Sequence, residues 1–271
     1  MAHNGSDTRF AGSVPELYDS LLVPLIFEPY AQLVAQRVAG LAPQSVLETA
    51  AGTGVLTRAM LQALSADVVV TATDLNPPML ERAAQVGTCR PVQWQPADAM
   101  QLPFADQSFD LVVCQFGAMF FPDKPHAFAE ARRVLRPGGT WLFTAWDRIE
   151  DNEFTDIVTQ ALARLFPDDP PRFMARLPHG YFDRDQIARD VVAGGFVAPQ
   201  IETVSLRSRA ASAHVAAAAI CQGSPLRHEI EARAGGNVVD ATAACAEAIR
   251  QQFGSGPVDG KIQAHVVTIS R

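Results

Sequence analysis

The fold class of this chain is decided by the stretch Ser45-Val46-Leu47-Glu48-Thr49-Ala50-Ala51-Gly52-Thr53-Gly54, together with Asp74 further on. The stretch contains an apolar run that ends in an acid and then a glycine-rich turn, and a second apolar run ends in another acid. This pattern is typical of a nucleoside-binding crevice in an α/β protein. In such a fold the ligand lies beyond the carboxyl ends of parallel strands, where the strand order reverses. Glycines let the backbone approach the ligand, and an acid after the second strand can accept hydrogen bonds from both ribose hydroxyls.

The same loop argues against a dinucleotide as the ligand. A dinucleotide fingerprint, G-x-G-x-x-G, needs a third glycine, whereas Gly52 and Gly54 are followed by Thr57 at that position. The dinucleotide loop also holds a pyrophosphate, which the acid Glu48 at its entrance would repel. A cationic ligand suits Glu48 better. A nucleotide-binding oxidoreductase is therefore the alternative hypothesis, and a non-catalytic cofactor-binding or regulatory module is a third.

Five segments of the chain follow one another in the order and spacing of a known family. Glu48-x-Ala50-x-Gly52-x-Gly54 resembles the first motif of class I S-adenosylmethionine-dependent methyltransferases, and Ala50 at the first glycine is similar to the type 11, ubiquinone/menaquinone methyltransferase branch. Segments 74–80 and 97–104 resemble the ribose-binding and adenine-binding motifs. Segments 108–113 and 132–139 resemble the fourth strand and the helix and turn before the fifth. The resemblance covers residues 40 to 146.

The resemblance implies a fold, a cofactor and a reaction. The fold would be a Rossmann-like, doubly wound α/β sheet of seven strands with an antiparallel closing strand. The reaction would be in-line transfer of a methyl group from S-adenosylmethionine to an oxygen, nitrogen or carbon nucleophile of a small-molecule acceptor, releasing S-adenosylhomocysteine. Glu48 would orient the loop and pair with the methionyl ammonium, Asp74 would bind the ribose, and Asp98 would accept from the exocyclic amine of adenine. The expected cofactor contacts are Glu48, Ala50, Gly52, Thr53, Gly54, Asp74, Leu75, Met79, Asp98, Ala99, Met100, Gln115 and Phe116.

The sequence indicates the acceptor site less clearly than the cofactor site. The acceptor is expected to bind near the sulfonium of the cofactor, among apolar or aromatic side chains. The candidates for these contacts are Tyr18, Phe27, Met119, Phe120 and Tyr181. Arg227 is a further candidate, for contact with an anionic group of the acceptor. His179 is a candidate base, but no catalytic residue is identified. His214, Cys221 and His228 are spaced by sevens, yet Pro225 breaks any shared helix, so no metal site is expected. Cys114 is interpreted as a small buried thiol.

The domain organisation is expected to be a single methyltransferase domain with a helical cap. The core would comprise residues 28–147, 183–209 and 258–271, and the cap residues 14–27, 148–182 and 210–257. The Ala-rich segment 211–256 separates the two predicted closing strands and is much longer than a hairpin connection, which favours an insertion. We expect the cap elements to cover the acceptor pocket.

Composition narrows the class of protein. A chain of 271 residues with 48% hydrophobic content can bury one substantial core. A net charge of −7 without a long basic run argues against nucleic acid as a partner. The apolar stretches 21–27 and 215–220 are far shorter than the about 20 residues that span a bilayer. A polar start without a secretory leader and four cysteines without CxxC spacing favour a cytoplasmic protein of undetermined oligomeric state.

Overall fold

The structure, a computed structural model, describes residues 14–271, and the polar start at residues 1–13 lies outside the described part. In chain order the helices and strands are α1 (Val14–Leu17), a π-helix (Tyr18–Phe27), α2 (Glu28–Gly40), β1 (Ser45–Glu48), α3 (Val55–Ala63), β2 (Val69–Asp74), α4 (Pro77–Val86), β3 (Gln93–Pro96), β4 (Phe109–Gln115), a 3₁₀ turn (Ala118–Phe120), α5 (Lys124–Val134) and β5 (Leu135–Trp146). They continue with a 3₁₀ turn (Ile149–Asp151), α6 (Glu153–Leu165), α7 (Phe173–Arg176), α8 (Arg184–Ala193), β6 (Gln200–Ala210), α9 (Ala213–Gln222), α10 (Leu226–Glu231), α11 (Val238–Phe253) and β7 (Val258–Ser270).

The strands form one seven-stranded sheet in the order β3-β2-β1-β4-β5-β7-β6. Strands β1 to β5 run parallel to their neighbours, and β7 pairs with β5 in the antiparallel direction. On β6, Thr203 bonds to His265 of β7, while Ser205, further along, bonds to the earlier Gln263, so these two strands are also antiparallel. The predicted seven-stranded sheet with an antiparallel closing strand is confirmed.

The chain divides into two compact units. The core unit comprises residues Tyr30–Trp146, Tyr181–Val204 and Ala264–Arg271. The helical unit comprises, within the described residues, 14–29, Asp147–Gly180 and Ser205–Gln263. The core unit carries the whole parallel part of the sheet, so it also carries the strand ends on which the predicted cofactor site depends.

The two faces of the core-unit sheet bury different side chains, because neighbouring residues of a strand point to opposite faces. On one face, Leu142 of β5 belongs to an aliphatic cluster with residues of α2 and α3. On the other face, Trp141 and Phe143 of β5 pack against Phe128 of α5, with ring centroids 4.5 Å and 5.5 Å from that of Phe128. Both faces of the parallel strands are therefore covered, as expected for strands rich in β-branched residues.

The helical unit is built around α6, α9 and α11. Gln222 of α9 donates to Thr242 of α11 at 3.1 Å, and the Phe253 ring of α11 lies 5.0 Å from that of Phe154 in α6. Gly260 of β7 leaves the space that the Phe154 ring fills, because a Cβ there would lie 2.9 Å from it. None of the helices described in residues 14–271 combines the length and apolar character required to cross a bilayer.

One element extends beyond its predicted bounds. Segment 132–139 was expected to form the helix and turn before the fifth strand, but β5 begins at Leu135. The register with β4 shifts, since Phe109 is opposite Leu135 whereas Leu111 is opposite Thr140. The Pro137-Gly138-Gly139 turn is thus a bulge inside the strand, with Gly138 at a φ of 79°.

Replacing Phe128 tests the packing of α5 on the sheet. Phe128→Ala should lower the free energy of unfolding by about 3–5 kcal/mol, because it removes a fully buried ring and leaves a cavity beside Trp141. Val192→Ala, at a position 52% exposed, is the control and should change it by less than about 0.5 kcal/mol. Chemical denaturation measures both, and equal effects would contradict the packing described for this face.

Candidate functional site

The candidate site lies where the parallel strand order reverses, between β1 and β4. Glu48, Asp74 and Gln115 are the last residues of β1, β2 and β4. Glu48 is opposite Ala72 on one side and Val113 on the other. The two predicted acids and the last residue of β4 therefore lie at the same, carboxyl end of the parallel strands.

The loop after β1 is held between its two neighbouring strands. The Thr49 amide donates to Val113 O and the Ala51 amide to Thr73 O, each at 2.9 Å. The Gly52 amide donates to Asp74 Oδ2 at 2.8 Å. These bonds fix the loop backbone before any ligand arrives.

Three positions of this loop adopt left-handed backbone, at Ala50 (φ 53°), Gly52 (φ 57°) and Gly54 (φ 80°). These are the positions at which the resembled motif has glycine, and left-handed backbone is the physical reason, since glycine adopts it without steric cost. Ala50 adopts it at some cost in strain. Its Cβ lies against Gly117, where an added Cβ would be only 2.4 Å away. Ala50 is thus accommodated by the missing side chain of Gly117.

Glu48 is buried behind the loop, with 1% of its surface exposed. Its Oε2 accepts a hydrogen bond from the Thr57 hydroxyl at 2.5 Å. Burial raises the pKa of the Glu48 carboxyl from its ordinary value of 4.5 to about 8, although Thr57 and Arg58 act in the opposite direction. Without a cationic partner, Glu48 is therefore protonated at neutral pH.

Thr57 was missed as a site residue by sequence reasoning. It stands where a dinucleotide fingerprint has its third glycine, in the first turn of α3. Its position in the motif is the sequence signal that could have identified Thr57, because a side chain in the first turn of the helix after the loop faces the end of β1.

Asp74 uses both carboxylate oxygens within the core unit. Oδ2 accepts from the Gly52 amide and Oδ1 from the Asn76 amide, each at 2.8 Å. Burial raises the pKa of Asp74, while the amide donors lower it. Asn76 precedes Pro77 and is of a residue type that caps helices, but it occupies the N-cap position of α4 without a side-chain capping bond, and its Nδ2 donates to Asp74 Oδ1 at 3.4 Å.

The residues present fit a nucleoside cofactor. The Thr53 hydroxyl is buried and has no hydrogen-bond partner among the described residues, so it is available to a polar ligand group. Leu75, next to Asp74, exposes 56% of its surface and offers an apolar face. Met79 of α4, another predicted cofactor contact, is buried. We expect Glu48, Thr53 and Asp74 to hold the polar groups of the cofactor.

The predicted adenine segment forms a tight turn next to Asp74. The Ala97 amide donates to Asp74 O at 3.0 Å, which joins this segment to the end of β2. Asp98 Oδ1 accepts from the Met100 amide at 2.8 Å, and the Gln101 amide donates to Asp98 O at 2.9 Å. Asp98 is exposed, whereas Ala99 and Met100 are half-buried.

The end of β4 leads into an aromatic cluster. Phe116 follows Gln115 with a φ of 54°, and its amide donates to the Thr144 hydroxyl at 3.0 Å. Its ring stacks on Trp146 at 3.8 Å and 5°, and Tyr30 meets it edge-on at 5.2 Å. A bulky residue in left-handed backbone is rare and is retained where the surroundings enforce it. Tyr30 and Trp146 were not predicted as part of the site, because neither lies in a recognised motif.

The predicted acceptor residues belong to both units of the chain. Met119 is buried and Phe120 half-buried in the 3₁₀ turn of the core unit. Tyr18 and Phe27 belong to the helical unit, where their rings are 5.2 Å apart. The contact of these four residues with an acceptor stays a prediction.

Two other acceptor candidates have structural partners. The Tyr181 hydroxyl donates to Asp190 at 2.8 Å, and Lys124 Nζ lies 4.7 Å from the centre of its ring. Arg227 forms an ion pair with Glu231, one turn along α10, at 2.8 Å. Both interactions account for these residues without a ligand, and sequence reasoning did not predict either.

Burial disfavours the candidate base His179, and it agrees with the interpretation of Cys114 as a small buried thiol. His179 Nδ1 contacts Asp147 O at 2.9 Å, and burial lowers the pKa of His179 to about 4, which makes it a poor proton acceptor. Burial raises the pKa of the Cys114 thiol to about 11, so it is not a thiolate at neutral pH. Within residues 14–271, no group of three or more His, Cys, Asp or Glu side chains could hold a metal ion.

Gly117→Ala tests the contact between Gly117 and Ala50. The new Cβ would meet Ala50 Cβ at 2.4 Å and Cys114 Sγ at 2.8 Å, so the free energy of unfolding should fall by about 1–3 kcal/mol. Ala50→Gly removes the first of these atoms and relieves the left-handed backbone. The double variant should therefore recover part of the loss, and denaturation of all four proteins measures the coupling. Strictly additive effects would contradict the contact.

The buried carboxyl of Glu48 predicts a pH dependence of stability. The folded protein holds a proton on Glu48 that the unfolded chain releases between pH 4.5 and about 8, so raising the pH through this range should lower the free energy of unfolding by a few kcal/mol. Glu48→Gln, which is neutral at every pH, should flatten this slope. Glu81→Gln on the exposed face of α4 is the control and should leave it unchanged. An undiminished slope in the Glu48 variant would contradict the assignment.

Comparison with known proteins shows a similarity that covers part of the chain. Residues 47–143 match a family model described as a methyltransferase domain. An uncharacterized protein of Mycobacterium tuberculosis is 43% identical over 113 residues, which cover 40% of this chain and 39% of that protein. The ubiquinone/menaquinone biosynthesis C-methyltransferase UbiE of Marinomonas sp. is 33% identical over 126 residues, which cover 45% of this chain and 50% of the enzyme. The chain thus spans half or less of the length of these relatives.

A solved structure extends the likeness in fold to most of the chain. The YcgJ protein of Bacillus subtilis superposes with a TM-score of 0.56 at 19% identity, covering 90% of this chain and 98% of that one. The matched residues 47–143 contain the acid-led loop, Asp74 and β4. Residues 47–143, which carry the candidate site, are therefore similar to a methyltransferase domain, and the solved structure extends only the likeness in fold beyond them.

Proposed function

We propose that this protein transfers a methyl group from S-adenosylmethionine to a small-molecule acceptor. The observation that carries the proposal is the buried Glu48 behind a left-handed loop whose Gly52 amide is held by Asp74. An acid at the end of β1 offers a partner for a cation, and an acid at the end of β2 lies where the ribose of a nucleoside would bind.

The state of Glu48 favours a cationic cofactor over a dinucleotide. A buried carboxyl with a pKa of about 8 is poised to ionise when a cation approaches, which offsets the cost of a buried charge. A pyrophosphate brings no positive charge that could offset ionisation of Glu48, and Thr57, which stands where the dinucleotide fingerprint has glycine, already donates to that carboxyl. The oxidoreductase alternative therefore has no support in the loop.

The methyl group of the bound cofactor is already activated by its sulfonium. The protein's contribution is then to orient the acceptor and exclude water. Positioning of this kind can lower a barrier by about 7–11 kcal/mol. The Phe116–Trp146 stack is a rigid apolar surface at the end of β4, and we assign it to the wall beside the transferred methyl group.

Proton removal from the acceptor is assigned to no residue of this chain. A buried His179 with a pKa of about 4 is a poor base, and Cys114 is a buried neutral thiol. Acceptors that lose their proton readily, such as phenols, enols and amines, fit this surrounding best. Whether oxygen, nitrogen or carbon is methylated is decided by the acceptor that the protein binds.

Asp74→Asn tests the cofactor assignment. The variant should weaken S-adenosylhomocysteine binding by about 1.5–3 kcal/mol, because it removes charge-assisted hydrogen bonds at the ribose position. Asp110→Asn is the matched control. Asp110 also accepts hydrogen bonds from two backbone amides, those of Gln44 and Ser45, but it lies at the opposite end of the parallel strands. It should lower stability without changing affinity. Titration calorimetry measures binding for both variants.

Three outcomes bear on the proposal as a whole. Binding of NADH but not of S-adenosylhomocysteine by the unaltered protein would overturn it. Equal affinity in the Asp74 and Asp110 variants would show that the site has been misplaced. Transfer of labelled methyl from S-adenosylmethionine to a member of a panel of phenols, enols and amines would establish the activity and identify the acceptor class.

A further inference from the structure

The connection from β3 to β4, residues 97–108, crosses the sheet without a helix. The other connections within the parallel strands carry α3, α4 or α5. A helix satisfies its own backbone polar groups, whereas an irregular connection must find partners elsewhere. This connection contains the Asp98 turn. The side chains that bind the connection therefore also determine the position of that turn.

The guanidinium of Arg133 in α5 supplies partners for two backbone carbonyls of this connection and for one of its side chains. Its Nη1 donates to Phe104 O at 2.7 Å and to Asp106 Oδ1 at 2.8 Å. Its Nη2 donates to Leu102 O at 2.9 Å. One guanidinium thus fixes three points of the connection, which a lysine with a single ammonium could not do.

Glu130, one turn earlier on α5, completes the arrangement. Its two oxygens accept from Arg133 Nε at 2.7 Å and from Nη2 at 2.9 Å, a bidentate pair. The Leu102 amide donates to Glu130 Oε2 at 2.9 Å. The hydrogen bonds from Arg133 lower the pKa of Glu130, which favours the ionised form of the pair. Leu102 follows the Asp98 turn directly, and both its amide and its carbonyl are held by this pair.

We propose that Arg133 and Glu130 are positioning residues that hold the Asp98 turn against the adenine of the cofactor. The inference rests on the proposed function. Neither side chain contacts the cofactor; they act through Leu102, which anchors the exit of the turn. Their effect should therefore concern recognition of the base more than binding of the ribose or the methionyl group.

Arg133→Lys and Glu130→Gln test this role with two probes, S-adenosylhomocysteine and S-inosylhomocysteine, which has a 6-oxo group in place of the 6-amino group. The unaltered protein should prefer the adenosyl compound, because Asp98 can accept from its amine. Each variant should bind that compound about tenfold more weakly and should lose most of the preference. Loss of preference is the decisive readout, because a merely less stable protein would weaken both ligands alike.

Arg136→Lys is the matched control. Arg136 also joins a carboxylate and a neighbouring side chain, Asp110 at 2.6 Å and Ser45 at 3.2 Å, but at the start of β1. It should cost stability and leave both affinities unchanged. Hydrogen exchange of the unliganded proteins should show faster exchange in residues 99–107 for the Arg133 and Glu130 variants only.

The outcomes separate this inference from the proposed function. If the unaltered protein binds S-adenosylhomocysteine but the Arg133 and Glu130 variants retain its affinity and the preference for it, the positioning role is wrong and the proposed function stands. If the unaltered protein binds neither compound, both are overturned. Should Arg133→Lys fail to fold, Glu130→Gln decides the question alone, because it breaks the ion pair that orients the guanidinium toward Leu102 O.

Discussion

The buried carboxyl group of Glu48, at the end of the central strand β1, constrains the structure of the loop and helix that follow it. Removing an acid from water is costly unless it is neutralised or given hydrogen-bond donors. Glu48 meets both conditions, through an elevated pKa and through the Thr57 hydroxyl. To deliver Thr57, α3 must begin close to the end of β1, which leaves only residues 49–54 to turn the chain. A loop so short needs left-handed backbone at Ala50, Gly52 and Gly54, and Ala50 in turn needs Gly117 opposite it.

The two acids of the site are held in different ways, and this difference assigns them different tasks. Asp74 accepts amides from Gly52 and Asn76, so its position is fixed in advance of a ligand. Glu48 is held by a hydroxyl and stays protonated until a cation offsets its burial. Binding a cation should therefore release a proton, and affinity should rise with pH up to about 8. One acid orders the loop, and the other responds to the ligand.

The sequence predicted the sheet well because its strands and their ends are marked locally. Glu48 and Asp74 close apolar runs, and glycines mark the turns, so the edge at which these residues meet follows from topology alone. What the sequence did not reveal depends on contacts between distant residues. Examples are the fit of Ala50 against Gly117, the Phe116–Trp146 stack and the partner that Asp190 provides for Tyr181. Each joins segments whose approach is fixed only in the folded chain, as is also true of the burial that lowers the pKa of His179.

The position of β7 has a consequence for how the chain folds. In the sheet β7 lies between β5 and β6, although both precede it in the sequence. During synthesis the edge of β5, including Trp141 and Phe143, therefore remains without its partner strand until residues beyond 258 have been made. Exposed strand edges with aromatic side chains promote association with other chains. Closing the sheet is thus a late, non-local step, and a nascent or truncated chain that lacks β7 would be prone to aggregate at β5.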